Sequence, residues 1–171
     1  GRELYNEKPE DPVLNYQNIF NDNWNDEILW AKNIGTYDHW LNCSDPVSFG
    51  CFSILDPTQE MVDAYEMEDG STPITGYTND GLVPVINKES GYVESGFAED
   101  EFEGRWQKGV SNMYNHREPR FYASINFAGA IWKTTRESNW TKPHVNEFWF
   151  RGIDGKNNAG SDYCKTGYLM K

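Results

Sequence analysis

The chain has 171 residues, with 27 acidic against 15 basic side chains and a formal net charge of −12. This length suits one ordinary domain, and the negative charge disfavours nucleic acids and anionic lipid surfaces as partners, because both require a cationic footprint. The sequence contains no run of 18 apolar residues that could span a bilayer and no basic, apolar leader of the signal-peptide type.

The first predicted element is a helix that begins at Asp11-Pro12 and ends at the polar cluster of residues 21–23. Apolar side chains recur within it at helical spacing, at Val13, Tyr16, Ile19 and Phe20. Residues 27–31 form a short apolar run, which predicts a strand or a helix with Trp30 in the core. Residues 33–55 are rich in Gly, Asp, Pro and Ser, so an irregular segment is expected there.

A second helix is predicted over residues 57–68, with a start and a stop signal written into the sequence. Asp56 is the expected N-cap, Pro57 suits the first helical position, and Gln59 stands where a capping box places its amide. Gly70 supplies a left-handed stop. One side of this helix is a narrow apolar stripe formed by Met61, Val62 and Tyr65. The stripe must pack against a larger surface.

The remainder predicts short strands separated by turns. Residues 76–96 alternate turn residues with short β-like runs, of which the run at 82–86 must be an edge because Pro84 lacks an N–H. Residues 98–103 are acidic and expected to be solvated. The last predicted elements are a strand over 121–127, a turn at Gly129, its hairpin return over 130–132, and a polar loop over 152–160. The fold class is therefore α+β and loop-rich.

Residues that invite a catalytic interpretation are few. The carboxylate pairs Glu66/Asp69 and Glu99/Glu103 could in principle cleave a glycosidic bond, but each lies in a charge run typical of a solvated face. The spacing of the histidines does not predict a zinc site, and residues 154–160 resemble a calcium loop only superficially. These histidines are His39, His116 and His144. The sequence also contains no nucleophile elbow and no phosphate-binding loop. No cofactor is predicted.

Arg117 and Arg120 flank a Glu118-Pro119 turn that fixes their relative position. They could form an anion site. The structural interpretation is favoured, in which the guanidinium groups bind loop carbonyls and carboxylates such as those of Asp63 or Glu66.

Four segments of the chain together form a recognisable pattern. They are Tyr16-Gln17-Asn18-Ile19-Phe20 leading to residues 27–30, the P-T-Q-E-M-V-D-A-Y helix at 57–65, the N-H-R-E-P-R-F-Y segment at 115–122, and the closing K-T-G-Y-L-M-K at 165–171. In this order they resemble the SusD/RagB family of bacterial outer-membrane nutrient-binding lipoproteins. His116 departs from the family pattern, in which Arg directly follows Asn. The resemblance implies that residues 1–171 are a single middle-to-C-terminal segment of a longer protein, and that this segment packs against tetratricopeptide-like helices absent from this chain.

The same resemblance implies a function. The expected role is non-catalytic binding of a glycan at the bacterial cell surface and its delivery to a TonB-dependent, SusC-like transporter. The protein would lie on the extracellular face of the outer membrane, held by an N-terminal lipid anchor that is not in this chain. The alternatives are a glycoside hydrolase that uses an acidic pair and a peptide-binding member of the family. A secreted setting would permit a Cys43–Cys51 disulfide, and the other possibility is three thiols that include Cys164.

The functional signal left in the residues themselves is aromatic content, at 15% of the chain. Aromatic rings beside polar side chains suit sugars, because a sugar ring offers C–H faces surrounded by hydroxyls. Most of these rings are expected to fill gaps between loops, including Trp106, Trp132 and Trp149. The predicted site is the irregular segment 33–42, where Tyr37 and Trp40 would stack on a sugar and hydrogen bonds would come from Asp38, His39 and Asn42. The alternative is that Trp40 packs under this loop as a local hydrophobic anchor.

Overall fold

The computed structural model describes residues 4–22, 24–31, 42–102, 105–132 and 144–171. Its helices and strands are mixed along the chain, which confirms the α+β prediction. The helices are α1 (Pro12–Asn21), α2 (Gln59–Asp63), α3 (Pro119–Ser124) and α4 (Lys156–Ala159). The strands are β1 (Ile74–Thr78), β2 (Val83–Ile86), β3 (Ile125–Phe127), β4 (Ile131–Trp132), β5 (His144–Val145) and β6 (Tyr168–Met170).

In the described ranges the strands pair as three antiparallel sheets of two strands each, β1–β2, β3–β6 and β4–β5. Short 3-10 turns at Val47–Phe49, Lys88–Ser90 and Asn112–Tyr114 connect these elements. Pro84 lies in β2, where a two-stranded hairpin leaves an open edge, as predicted. None of the helices in these ranges has the length and apolarity needed to cross a bilayer.

Helix α1 forms where the sequence predicted it. The Asp11 side chain caps the helix by accepting a hydrogen bond from the Leu14 N–H at 3.1 Å. The helix packs on α3, to which the Gln17 Nε2 donates a hydrogen bond at the Ala123 carbonyl (3.1 Å). The Asp11 carboxylate also receives the Arg105 guanidinium at 3.0 Å, which ties the start of the helix to the middle of the chain.

Helix α2 is shorter than predicted and begins later. Its N-cap is Thr58, whose side chain accepts from the Met61 N–H, whereas the Asp56 carboxylate instead accepts from the Lys165 N–H at 2.9 Å. Gln59 does not form a capping box. Its amide bridges two other elements by donating to Asp63 Oδ1 (2.7 Å) and accepting from the Tyr168 hydroxyl (2.8 Å).

The two longest family-like segments lie side by side. The Glu68 N–H donates to the His116 carbonyl at 2.7 Å, and the Glu118 N–H donates to the Glu66 carbonyl at 3.0 Å. Met67 and Arg117 form a β-bridge between them. These two segments, far apart in sequence, therefore form a short antiparallel ladder. Helix α2 cannot continue to residue 68, because residues 66–68 belong to this ladder.

Several other predictions are wrong. The predicted strand over 121–127 is helix α3 followed by β3, and residues 130–132 do not return against it, because β3 pairs with β6 while β4 pairs with β5. Residues 27–31 form neither strand nor helix. Trp30 is 80% exposed and Trp149 51% exposed, so neither fills the core, whereas Trp106 is buried as expected.

The core is built largely from aromatic rings. Tyr114 stacks on Phe127 with ring centroids 4.2 Å apart, and Phe121 stacks on Phe127 at 5.5 Å. Ile125 and Leu169, from paired strands β3 and β6, are fully buried. Stacked rings bury large areas and add favourable ring–ring contacts. A chain with short helices and strands can therefore still form a dense interior.

The last loop holds more structure than a polar loop. It contains helix α4, and Asp154 within it is fully buried. Gly155 is required there, because a Cβ at this position would lie 1.9 Å from the Trp149 carbonyl oxygen. The three cysteines are buried thiols in this structure, in line with the second of the two alternatives; they are Cys43, Cys51 and Cys164.

Candidate functional site

The predicted sugar-binding loop is only partly covered by the structure, since Tyr37, Asp38, His39 and Trp40 lie outside the described residues. Asn42 is half-buried in a helical turn, where its carbonyl accepts a hydrogen bond from the Phe52 N–H at 2.6 Å. Its Oδ1 lies 3.9 Å from the Cys51 sulfur. Asn42 thus takes part in a local pairing, and the stacking platform remains a prediction.

A cavity of about 650 Å³ lies elsewhere, between the segments 97–102 and 112–117. We call it the acidic cavity. It combines the chemical groups that sugar binding needs, because its walls hold both rings and hydrogen-bonding groups. The rings are Phe97, Phe102, Trp106 and Tyr122; the carboxylates are Glu68, Glu99, Asp100 and Glu101; the other polar groups include Asn112, Asn115 and His116.

The aromatic wall contains a stack of three rings that runs from the buried core to the exposed surface. Phe102 stacks on Trp106 with centroids 4.6 Å apart and planes inclined by 18°, and Trp106 in turn lies 5.3 Å from the Tyr122 ring. Trp106 and Tyr122 are buried, whereas Phe102 is 40% exposed and Phe97 is 71% exposed. Because the buried rings hold Phe102 in place, its exposed apolar surface is already ordered at the cavity. Ligand binding therefore does not have to pay for ordering this ring.

Backbone hydrogen bonds hold this wall against the next segment. The Ala98 N–H donates to the Val110 carbonyl (2.7 Å), and the Gly109 N–H donates back to the Ala98 carbonyl (2.9 Å). The Asn112 N–H donates to the Gly96 carbonyl at 3.2 Å. These bonds place the acidic segment beside the polar segment that follows it.

The polar wall consists of Asn112, Asn115 and His116. Asn115 donates from Nδ2 to Asn112 Oδ1 (3.3 Å), and the His116 Nδ1 lies 3.0 Å from Glu68 Oε1. The Oδ1 of Asn115 is buried and has no hydrogen-bond partner among the described residues. Unsatisfied polar atoms of this kind are uncommon in folded proteins and call for an explanation such as a bound group.

Arg117 fixes the polar wall from behind. It is 2% exposed, and its Nη2 donates to the carbonyls of Val62 and Tyr65 at 2.7 Å each, while Nη1 donates to the Met113 carbonyl at 3.3 Å. Its guanidinium also lies 4.9 Å from the centre of the Phe121 ring. Burial lowers the pKa of Arg117. The structural interpretation of Arg117 is therefore correct, because its guanidinium group binds backbone carbonyls of the loops.

Arg120 also has a structural role. It is an exposed ion-pair partner of Glu118, and it lies 3.7 Å from Glu66 as well. Hydrogen bonds to Glu118 raise the pKa of Arg120. Neither arginine of the motif is therefore directed to an anion site.

Glu66 and Asp69, which form the first of the two carboxylate pairs, have structural contacts of their own. Besides Arg120, the Glu66 backbone is engaged with Glu118. Asp69 closes its own turn by accepting from the Ser71 N–H and hydroxyl (2.9 and 2.6 Å), and these hydrogen bonds lower the pKa of Asp69. Glu103 lies outside the described residues. The described residues contain no group of three or more His, Cys, Asp or Glu side chains that could hold a metal ion.

Ser48, His144 and Asp154 form a cluster that superficially resembles a hydrolase triad, in which the histidine and the aspartate are buried. The His144 Nε2 lies 2.9 Å from Asp154 Oδ2 and 3.4 Å from the Ser48 hydroxyl. A triad needs the serine and the carboxylate on opposite ring nitrogens, so that the imidazole can relay a proton. Here both contact the same nitrogen, and the cluster instead joins three chain segments.

A second cavity, of about 860 Å³, lies between α1, α2, α3 and the strands β3, β4 and β6. We call it the helix groove. Three of its side chains are apolar and considerably exposed, namely Leu14, Phe20 and Met61. Met61 is the outward part of the apolar stripe predicted on the second helix, whereas Val62 is fully buried within this chain.

Sequence reasoning missed the acidic cavity because residues 98–103 were treated as a solvated charge run. The available signal was the placement of Phe97, Phe102 and Trp106 at both ends of that run. Rings that bracket a carboxylate cluster indicate a surface with both apolar and polar contacts.

Comparison with known proteins gives two findings. The model of the SusD family matches residues 15–171. Among solved structures, a SusD-like protein from Bacteroides fragilis NCTC 9343 matches with a TM-score of 0.60 and 20% sequence identity, over 97% of this chain and 29% of that chain. The chain therefore spans less than a third of the length of that protein. No curated protein sequence matches.

Proposed function

The chain belongs to the SusD family, and from this membership we propose that it is part of a non-catalytic protein that captures glycans at the bacterial cell surface for nutrient uptake. The observation that carries the proposal is the acidic cavity, in which exposed rings adjoin carboxylates and amides. Its volume falls in the range of about 300–1,000 Å³ usual for small-ligand sites.

The chemistry of the walls supports a saccharide. Phe102 and Phe97 offer apolar surface for the C–H face of a sugar ring, and Phe102 is held rigid by Trp106. Carboxylates and amides accept hydrogen bonds from hydroxyls, which a sugar presents around its rim. Loss of one ring should remove about 1–2 kcal/mol of binding free energy, or roughly tenfold in affinity.

We therefore expect that Phe102→Ala and Phe97→Ala each weaken glycan retention about tenfold in affinity gels that contain polysaccharides. Phe97 is the cleaner variant, because it is 71% exposed and its loss should leave the melting temperature nearly unchanged. Phe150→Ala is the matched control, since Phe150 is 60% exposed and lines neither cavity. Equal retention by all three variants would contradict the placement of the site.

The predicted loop provides the competing location. If Trp40→Ala removes retention at an unchanged melting temperature while both Phe variants bind normally, the site lies in residues 37–42 and not in the acidic cavity. The same polysaccharide incubations also distinguish a binder from a hydrolase, because a hydrolase would release reducing ends whereas a binding protein leaves the polymer intact.

We also propose that the complete protein is lipid-anchored on the extracellular face of the outer membrane and delivers its glycan to a SusC-like, TonB-dependent transporter. The family membership supports this proposal. The test is copurification of the full-length protein with a β-barrel transporter from solubilised outer membranes. Recovery of the protein alone would count against it.

The chain is further proposed to be a segment of a longer protein whose additional, tetratricopeptide-like helices occupy the helix groove. The exposed apolar side chains Leu14, Phe20 and Met61 support this proposal. Calorimetry tests it by comparing the 171-residue segment with the full-length protein, because a segment that lacks its packing partner should unfold at a lower temperature. Equal melting temperatures would contradict it.

A further inference from the structure

The acidic cavity carries accessible charge of one sign. Four carboxylates line it, of which Glu99, Asp100 and Glu101 are exposed and belong to consecutive residues. None of these three forms an ion pair with another residue in the described part of the chain. Their charges are therefore directed to solvent and to any bound group.

The cationic groups of the cavity are already engaged. Arg117 is 2% exposed and donates to three backbone carbonyls, and Arg105 is paired with Asp11 at 3.0 Å. His116 contacts Glu68 at 3.0 Å. Among the residues that the structure describes, a ligand carboxylate or sulfate would thus meet three carboxylates and no uncommitted cation, in a chain whose overall charge is already −12.

We propose that this cavity selects saccharides by charge, accepting neutral and amine-bearing glycans and rejecting uronate-containing and sulfated ones. The inference rests on the proposed glycan-binding function and specifies its substrate class. The aromatic wall provides an apolar surface on which any sugar ring can stack. The carboxylates of Glu99, Asp100 and Glu101 discriminate between sugars by their charge. Carboxylates suit neutral sugars because they accept hydrogen bonds from hydroxyls, and protonated amines because of their opposite charge.

The test is retention of the protein on immobilised polysaccharides in about 20 mM salt, where charges are weakly screened. The neutral probes are amylopectin, arabinoxylan and galactomannan, the anionic probes are polygalacturonate, alginate and heparin, and the cationic probe is chitosan. We expect retention on neutral polymers or chitosan, and retention at least about tenfold weaker on the anionic set. In roughly 0.5 M salt the preference for chitosan should fall several-fold, because the Debye length shortens.

The charge-neutralising variant is Glu99→Gln/Asp100→Asn/Glu101→Gln. It should raise the ratio of anionic to neutral retention about tenfold and lower chitosan retention by a similar factor. The control is Glu7→Gln/Glu10→Gln/Glu89→Gln, which changes net charge equally at three exposed positions outside the cavity. The control should change the same ratio by no more than about twofold, because these side chains do not line the cavity.

The outcomes separate this inference from the proposed function. If the protein retains an anionic polysaccharide as strongly as a neutral one and Phe97→Ala abolishes that retention, the glycan site stands and the charge selection is overturned. If both triple variants shift the ratio equally, the net charge of the protein and not the cavity is responsible, which also overturns it. If no polysaccharide in the panel is retained, the proposed function itself fails.

Discussion

Arg117→Ala is expected to lower the free energy of unfolding by about 3–5 kcal/mol, one of the largest effects among single substitutions in this chain. The side chain is 2% exposed and donates hydrogen bonds to the carbonyls of Val62, Tyr65 and Met113. Its removal takes a donor away from all three carbonyls and opens a cavity beside Phe121. Urea unfolding followed by Trp fluorescence measures the loss.

Arg120→Ala is the matched control, because Arg120 belongs to the same motif but is about half exposed. Its ion pairs with Glu118 and Glu66 should contribute about 1 kcal/mol or less. Arg117→Lys tests geometry, since it keeps the charge but cannot reach several carbonyls with one planar fork. Equal destabilisation by Arg117→Ala and Arg120→Ala would contradict the view that the buried hydrogen bonds of Arg117 stabilise the fold more than the exposed ion pairs of Arg120.

Asp154→Ala is expected to cost about 3–5 kcal/mol, because it breaks a buried, hydrogen-bonded pair and leaves its partners unsatisfied. Asp154 is fully buried, and its carboxylate contacts His144 Nε2 (2.9 Å) and accepts from the backbone N–H groups of Glu147 (3.1 Å) and Ser48 (3.3 Å). These contacts join three segments of chain. Asp162→Ala, at an exposed position in the same region, should change stability little.

The same carboxylate gives a pH dependence whose sign follows from its surroundings. Burial by itself would raise the pKa of Asp154, but hydrogen bonds from His144, Ser48 and Glu147 outweigh it and hold the pKa below its usual value. A carboxyl whose pKa is lowered by folding stabilises the native state above the unfolded pKa, about 3.9, and loses this contribution as the pH falls through the folded pKa. The difference in melting temperature between wild type and Asp154→Asn should therefore narrow below about pH 4. A difference that stays constant from pH 7 to pH 3 would contradict this account.

Features that depend on neighbouring residues could be predicted from the sequence alone. Helix α1 formed as predicted, because its cap at Asp11 and its apolar period act within a turn or two of the chain. Pro84 was assigned to an edge on the basis of its missing N–H alone. The family assignment also came from local segments, in which Gln59, Arg117 and Tyr168 make hydrogen bonds that join separate parts of the chain.

Features that depend on distant partners could not be predicted in this way and are seen only in the folded chain. Helix α2 stops at Asp63 because the chain beyond it pairs with residues 116–118, and β3 pairs with β6 across more than forty residues (125–127 with 168–170). Local propensity carries no information on such pairings. The acidic cavity belongs to this class as well, since its rings and carboxylates meet its amides only when the segments 97–102 and 112–117 are brought together by backbone hydrogen bonds.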